Sequence, residues 1–555
     1  MKQIDLLIKN AVILTMDEDN PRAGSIAVSD GKISSIWETA EPPVNLTGIT
    51  NQTEIVDLEG GVLVPGFIDT HNHILGYGIL ANRINCSTPP NQSITDLIKL
   101  IDKKADETPN GEWIQGYGYD DTLLNEGRHP TREDLDLAAP HHPVYLSHIS
   151  GHLAVVNSLA FELAGLSNET PDPQGGKYGR YKDGKLNGVL YEQAAMAPIN
   201  KIQPAITQEK MILAIEEAAN DYIAKGITTN TDAAIYSPQD LSAHLEAART
   251  RGNPMRTQLM ILHHLLQEGA PFGDYTHEQL NEEIIGKSDG LAKLDSAKLF
   301  QDGSIQGLTG ALRNPYFEHP HLFGDLIHEQ NDFKEIILNL HQRGFRLAIH
   351  GNGDRAIGSI LDAYDYALQK NLRDDHRHRI EHVQTATTDD IKRMKKLGVA
   401  GSFFINHVYY WGDRHKQIFL GPDRAERISP LAEALKEDIL FTLHSDCPVT
   451  PISPLFSIWA AVNRLTRNGE VLGEEQRIDV LEALKSMTIY GAQLIFEEDS
   501  LGSIEIGKLA DFAVLDADPL AIDPKSIKDI TVLATFIGGK RVFELDQSKK
   551  AASHY

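Results

Sequence analysis

Two histidines one residue apart, His71 and His73, directly follow the apolar run Val64-Pro65-Gly66-Phe67-Ile68-Asp69. In an extended chain residues i and i+2 share a face, so both rings can turn toward one cation. A solvated pair is the ordinary explanation of an isolated His-x-His, but a strand-like run immediately before it reverses the balance. Three further candidates lie far along the chain. They are His350 in Ala348-Ile349-His350-Gly351-Asn352-Gly353-Asp354, His382 in Arg379-Ile380-Glu381-His382, and Asp446 in Leu443-His444-Ser445-Asp446-Cys447-Pro448. Imidazole and carboxylate ligands suit Zn²⁺ or a similar divalent ion with a position open for water. Such an ion lowers the pKa of its water toward about 7 and polarises a carbonyl. Each residue alone also has a bland account, as a buried histidine bonded to backbone or an aspartate capping a helix.

The elements that must position these groups decide between the readings. Eight apolar segments read as strands: Val64–Asp69, Gly226–Thr231, Arg256–Leu262, Ala297–Asp302, Phe345–His350, Arg379–His382, Gly398–Phe403 and Ile439–His444. Helical patterns such as Glu209–Lys225, Asp332–Arg343, Ala356–Gln369 and Thr388–Leu397 alternate with them, which predicts parallel βα units. Eight is the number that closes a (β/α)8 barrel, and barrel enzymes keep their chemistry at the C-terminal strand ends. The five candidates fall at the ends of strands one, five, six and eight. The first connection, about residues 80 to 205, is too long to be a plain loop and is expected to hold its own structure over the catalytic face.

Short alternating segments punctuated by turns occupy both ends of the chain, from Ile4–Ile8 to Glu54–Asp57 and from Gly502–Ile506 to Lys540–Phe543. The fold class expected is therefore α/β: a TIM barrel with a small β-sandwich built from both termini. Residues 1–62 and 496–555 would make the sandwich and 63–495 the barrel. The opening residues alternate polar and apolar and read as a strand, not a signal peptide. No run approaches the roughly 20 apolar residues of a membrane helix, and a net charge of −26 argues against nucleic acid, whose phosphates need a basic face. Two cysteines, Cys86 and Cys447, cannot build a disulfide framework. A cytoplasmic protein is expected, with no nucleic acid or membrane partner, and a homodimer is the default assembly.

The chain resembles the amidohydrolase superfamily, specifically its YtcJ-like branch (amidohydrolase family 3), similar to N-substituted formamide deformylases and exoenzyme regulatory protein-like amidohydrolases. The likeness is carried by Val64–His73, by Lys298-Leu299-Phe300-Gln301-Asp302-Gly303-Ser304, by His350–Ala356, by Arg379–His382 and by His444–Val449. It continues in Leu501–Asp511, and in the insertion in Pro143–His152 and Asn187–Glu192. The resemblance implies that His71 and His73 hold the more buried of one or two ions, that His350 and His382 hold the more exposed, and that Asp446 touches both metal and water. Lys298 matches a position where two-metal relatives carry a lysine carboxylated on its amine to bridge the ions. An unmodified ammonium is a donor only; paired with Asp302 or Glu192 it is the competing reading, and Glu192 is a second source of a bridging carboxylate. After strand seven many relatives show Gln-Pro where this chain has Ser402-Phe403-Phe404-Ile405-Asn406-His407, so substrate contacts from that loop do not carry over.

Four more positions complete the candidates. Asp354 would orient a ligand histidine from behind or cap the following helix. His148 and His152 would contact a substrate or bond the insertion to the barrel. Arg313 would anchor a substrate carboxylate. The activity expected is hydrolysis of an amide, N-acyl or N-formyl C–N bond of a small molecule, with Asp446 taking the proton of water. Two alternatives stand beside it: hydrolytic deamination of a heterocycle, and a metal-binding regulatory protein with little turnover.

Overall fold

The computed structural model describes residues 3–81 and 83–546. Eight parallel strands form one sheet: Phe67–Asn72 (β1), Ile227–Ile235 (β2), Arg256–Leu262 (β3), Ala292–Phe300 (β4), Leu347–Gly351 (β5), Arg379–His382 (β6), Ala400–Phe403 (β7) and Phe441–Leu443 (β8). Each is hydrogen-bonded to its neighbour in sequence. The sheet nearly closes into a barrel, since the hydroxyls of Thr70 on β1 and Thr442 on β8 lie 2.7 Å apart. Strands with both faces covered read as continuous apolar runs, and every residue of β2 is buried. The helices between strands start where the chain offers caps. Ser237 and Thr387 each bond the backbone three residues on, and Asp240 and Asp390 return the bond.

The expected first strand, Val64–Asp69, is in fact two. Val62–Pro65 pairs antiparallel with Phe512–Leu515 and parallel with Val12–Leu14, outside the barrel. Gly66 separates the pieces because a Cβ there would lie 2.2 Å from Thr228 Oγ1 on β2; only glycine allows that approach. The expected Ala297–Asp302 strand starts earlier and stops at Phe300, because Asp302 turns to bind the backbone of the next loop. The terminal strands build two sheets, one ordered 32–37, 25–29, 6–9, 54–57 and the other 540–544, 532–537, 512–515, 62–65, 12–14, 22–23. Leu6, Ile8, Ile26 and Val28 of the first share a core with Ile13, Leu63, Phe512 and Phe536 of the second.

Residues 76–214 form a compact unit of their own. Its six-stranded sheet runs Lys177–Arg180, Leu186–Tyr191, Leu153–Val156, Val144–His148, Ile114–Tyr119, Ile84–Asn85. Alternate residues serve opposite faces. Val144 and Leu146 pack with Leu97 and Ile101 of the helix Ile94–Glu107, while Tyr145 packs with Phe161, Met196 and Ile199 on the other side. Among the described residues no helix is long and apolar enough to cross a membrane.

Candidate metal centre

β1 ends by presenting His71 within the strand and His73 just beyond it, where the His73 N–H donates to the Cys447 carbonyl at 2.8 Å. That bond draws the end of β1 against the turn after β8, which carries Asp446. Asp446 Oδ1 lies 3.3 Å from both His71 Nε2 and His73 Nε2. His382, from the end of β6, brings its Nδ1 to 4.0 Å from Asp446 Oδ2. Ligand atoms of His71, His73 and Asp446 all lie within 4.8 Å of one another, and so do those of His71, His382 and His444. Four of the five candidate residues, His71, His73, His382 and Asp446, therefore come together. The fifth, His350 from β5, sets its ring edge-on to that of His382, centroids 4.4 Å apart. Its Nε2 faces the Gly303 carbonyl at 3.0 Å and the Asn352 amide at 2.9 Å, outside both converging groups.

The donor set fits a cation. Bonds of about 2.0–2.1 Å in a tetrahedral site place ligand atoms about 3.3–3.4 Å apart, and the two 3.3 Å separations match that edge. Asp446 Oδ1, His382 Nδ1 and both ring nitrogens of His444 are buried with no hydrogen-bond partner among the described residues. Buried polar atoms left without partners are costly, and an acceptor nitrogen or carboxylate oxygen among them is relieved when something electropositive meets it. Burial keeps the imidazoles of His382 and His444 well below their ordinary pKa, hence neutral and able to ligate. Burial pushes Asp446 upward, yet His71 and His73 outweigh it and hold the carboxylate well below its usual range. His382 and Asp446 both sit at left-handed φ, 74° and 53°, a conformation that costs a non-glycine residue about 1–3 kcal/mol and clusters at functional sites.

Lys298 on β4 is fully buried, and its ammonium makes no hydrogen bond or ion pair among the described residues. Burial lowers its pKa to about 8 against the opposing pull of Glu381 and Asp446. Asp302 does not pair with it. Its carboxylate accepts the backbone N–H groups of Ala311, Asn352 and Gly353 at 2.7–3.0 Å, and burial lifts its pKa to about 7. Asp354 accepts the Arg313 N–H at 2.8 Å in the first turn of the helix Asp354–Lys370. The Arg313 guanidinium forks onto Asp390, both bonds 2.8 Å. Both residues thus tie loops to helix starts, and the Arg313 guanidinium expected to anchor a substrate carboxylate is paired with Asp390. Glu192 pairs with His152 at 2.9 Å within the inserted unit. His148 ends a strand there, and Gly151 at φ 71° makes the turn to His152.

Three residues escaped the sequence reading. Glu381 Oε2 meets His71 Nδ1 at 2.5 Å, so Glu381 rather than Asp354 holds a candidate ligand in orientation. Arg379 binds Glu381 Oε1 at 2.5 Å and Asp295 at 3.1 Å. Burial opposes the Glu381 charge, but Arg379 and His71 hold its pKa well below the usual carboxylate range. His444 stacks on His71 at 4.5 Å. The available signal was alternation: Arg379 and Glu381 share one face of β6, and both stand in the tetrapeptide that supplies His382.

The family model for the amidohydrolase family matches residues 54–543. The Bacillus subtilis (strain 168) protein YtcJ, which carries an amidohydrolase name, is 30% identical over 96% of this chain and 98% of its own. The N-substituted formamide deformylase of Arthrobacter pascens is 29% identical over 97% of this chain and 98% of its own. Among solved structures, a metal-dependent hydrolase from Pyrococcus horikoshii OT3 superposes with a TM-score of 0.74 over 94% of this chain and 99% of that one, at 24% identity, which bears on the fold.

Proposed function

The chain belongs to the amidohydrolase family, and on that footing we propose that it hydrolyses an amide-type C–N bond of a small molecule, an N-acyl or N-formyl compound, with a divalent ion of the Zn²⁺ kind held by His71, His73, His382 and Asp446. The observation that carries this reading is the approach of two histidine nitrogens, each at 3.3 Å, to one Asp446 oxygen. The N-formyl class is favoured by the deformylase relative. When bound, the ion would activate water and polarise the scissile carbonyl. His71 is kept in register by Glu381, which accepts from Nδ1 and leaves Nε2 to ligate. Asp446, ionised at neutral pH, takes the proton of the attacking water and passes it to the departing nitrogen. His350 would serve a second ion if one is held.

Lys298 fits a bridging role once carboxylated. An amine with a pKa near 8 has a neutral fraction at neutral pH; that amine attacks CO₂, loses a proton and becomes an anionic carbamate. Intact mass should then exceed the sequence mass by one CO₂, and Lys298→Met should abolish the increment. A cytoplasmic setting is supported by the two buried free thiols, Cys86 and Cys447.

The test is a hydrolysis screen over N-formyl, N-acyl, cyclic amide, heterocyclic amine and ester compounds with Zn²⁺ or Mn²⁺ supplied. Asp446→Asn should lower kcat on the best substrate by at least about 100-fold while the protein still binds metal. An Asp446→Asn enzyme with unaltered kcat would overturn the proton-transfer role, and turnover confined to heterocyclic amines would replace the reading with deamination.

A further inference from the structure

A second constellation of histidine and carboxylate stands within the inserted unit, built from residues that the barrel chemistry does not use. Two neighbouring parallel strands, Ile114–Tyr119 and Val144–His148, end in register, Tyr119 opposite His148. The chain leaves the first through Asp120 and Asp121, so two carboxylates and an imidazole meet at the C-terminal edge of the sheet. A β-bulge between Tyr117 and Tyr119, with Gly118 at φ 89°, turns the aspartates toward His148.

The distances match those of a coordination shell. Asp121 Oδ1 lies 3.1 Å from His148 Nε2 and 3.6 Å from His129 Nδ1. Ligand atoms of Asp120, Asp121 and His148 all lie within 4.8 Å of one another. The tetrahedral edge around a Zn²⁺-sized ion is about 3.3–3.4 Å. His148 is 8% exposed, and its Nε2 has no hydrogen-bond partner among the described residues despite the carboxylate 3.1 Å away. The two atoms thus stand 3.1 Å apart without a registered hydrogen bond between them, as Asp446 Oδ1 stands 3.3 Å from His71 and His73.

The surroundings hold the group in place. Ser150 grips the far side of the His148 ring through its hydroxyl at 2.8 Å and its N–H at 3.1 Å from Nδ1. Thr122 takes Asp120 Oδ1 with its N–H at 3.0 Å and its hydroxyl at 2.6 Å. The Tyr119 hydroxyl reaches His129 Nδ1 at 3.2 Å. Burial raises Asp121, but His148 and His129 outweigh it and keep the carboxylate below its ordinary pKa; burial also lowers His129 toward the neutral form.

We propose that Asp121 and His148, with Asp120 and His129 completing the shell, form a divalent transition-metal site in the inserted unit, separate in its residues from the barrel cluster. Mixed imidazole and carboxylate donors select an ion of the Zn²⁺ class over Ca²⁺ or Mg²⁺, which take all-oxygen shells. The site stands or falls apart from the hydrolase reading, since no residue is shared.

The experiment uses the full chain, stripped by chelator and reloaded with Zn²⁺ alone, with bound metal counted by elemental analysis. In a His71→Gln/His73→Gln background one equivalent should remain, and adding Asp121→Asn and His148→Gln should remove it. Loss of all Zn²⁺ in the barrel variant, or retention after the insertion substitutions, overturns the proposal. The unmodified protein supplies a second measurement that no folding defect can obscure. Crystals grown with saturating Zn²⁺ should give an anomalous peak bonded to His148 Nε2 and Asp121; the absence of that peak overturns the site.

Discussion

Glu381 carries two obligations at once. One oxygen holds His71 by its Nδ1 and the other neutralises Arg379, all three side chains being buried. Arg379 in turn reaches Asp295, which also binds Arg346. The candidate metal ligand therefore rests on an ion network that runs down through β6 and β4. Buried pairs contribute little net stability but are costly to break on one side, about 3–5 kcal/mol, because the remaining charge is stranded. Glu381→Gln keeps the shape and removes the charge. It should lower Zn²⁺ affinity by about 10–100-fold, as loss of an orienting partner does elsewhere, and depress thermal stability through unpaired Arg379. Chelator competition and calorimetry read the two effects separately. Unchanged affinity would leave Glu381 a purely structural residue.

Between elements, a chain of three histidines does comparable work away from the candidate centre. His341 on the helix Gln330–Gln342 places Nε2 2.7 Å from the Asn371 carbonyl, and its Nδ1 2.8 Å from His378 Nε2. His378 Nδ1 accepts the Leu347 N–H of β5, the His378 N–H reaches His376 Nδ1, and His376 Nε2 meets the Leu397 carbonyl at the end of the helix Thr388–Leu397. One neutral tautomer per ring satisfies every bond; a proton added anywhere has no acceptor. Burial accordingly lowers all three, His378 well below the ordinary value. The folded state thus holds fewer protons than the unfolded chain below about pH 6.5. Stability from this chain is full above that pH and is lost as pH falls toward the depressed folded values. In chelator-treated protein, the melting temperature should drop from pH 7.5 to 5.5, and His378→Gln should make that drop smaller while costing about 1–3 kcal/mol at pH 7.5. An identical pH slope in the variant would remove the histidine chain from the account.

For the whole molecule the governing fact is that three sets of apolar side chains are assembled from different parts of the chain. The terminal sheets join residues 6–63 to residues 504–536 in one core, so their formation waits on the return of a chain segment several hundred residues later. The inserted unit, residues 76–214, closes its own two cores from nearby sequence. A unit with its own core can lose stability on its own. Leu146 is completely buried there, and Leu146→Ala should cost about 2–5 kcal/mol. Hydrogen exchange should then accelerate within 76–214 and leave β2 and the sheet around Val62–Pro65 protected. Acceleration spread evenly over both units would mean that they open as one.

Strand periodicity and turn residues suffice to read the α/β class, the eight barrel strands and the sheets contributed by both termini, because the pattern of a strand is local. The approach of His71, His73, His382 and Asp446 to one another was legible for a related reason: position at a strand end already implies the barrel mouth. Local pattern could not reveal which atoms face each other. Glu381 looked like any strand glutamate until β6 lay beside β1, and Asp302, Arg313 and Asp354 looked like free functional groups until the loop after β4 folded onto their backbone and ionic partners. The split at Gly66 was equally invisible, since the atom that forbids a side chain there belongs to Thr228, more than a hundred residues away. Hydrogen-bond partners and close approaches are properties of pairs, and for this chain the pairs that matter are distant in sequence, so only the tertiary structure could assign them.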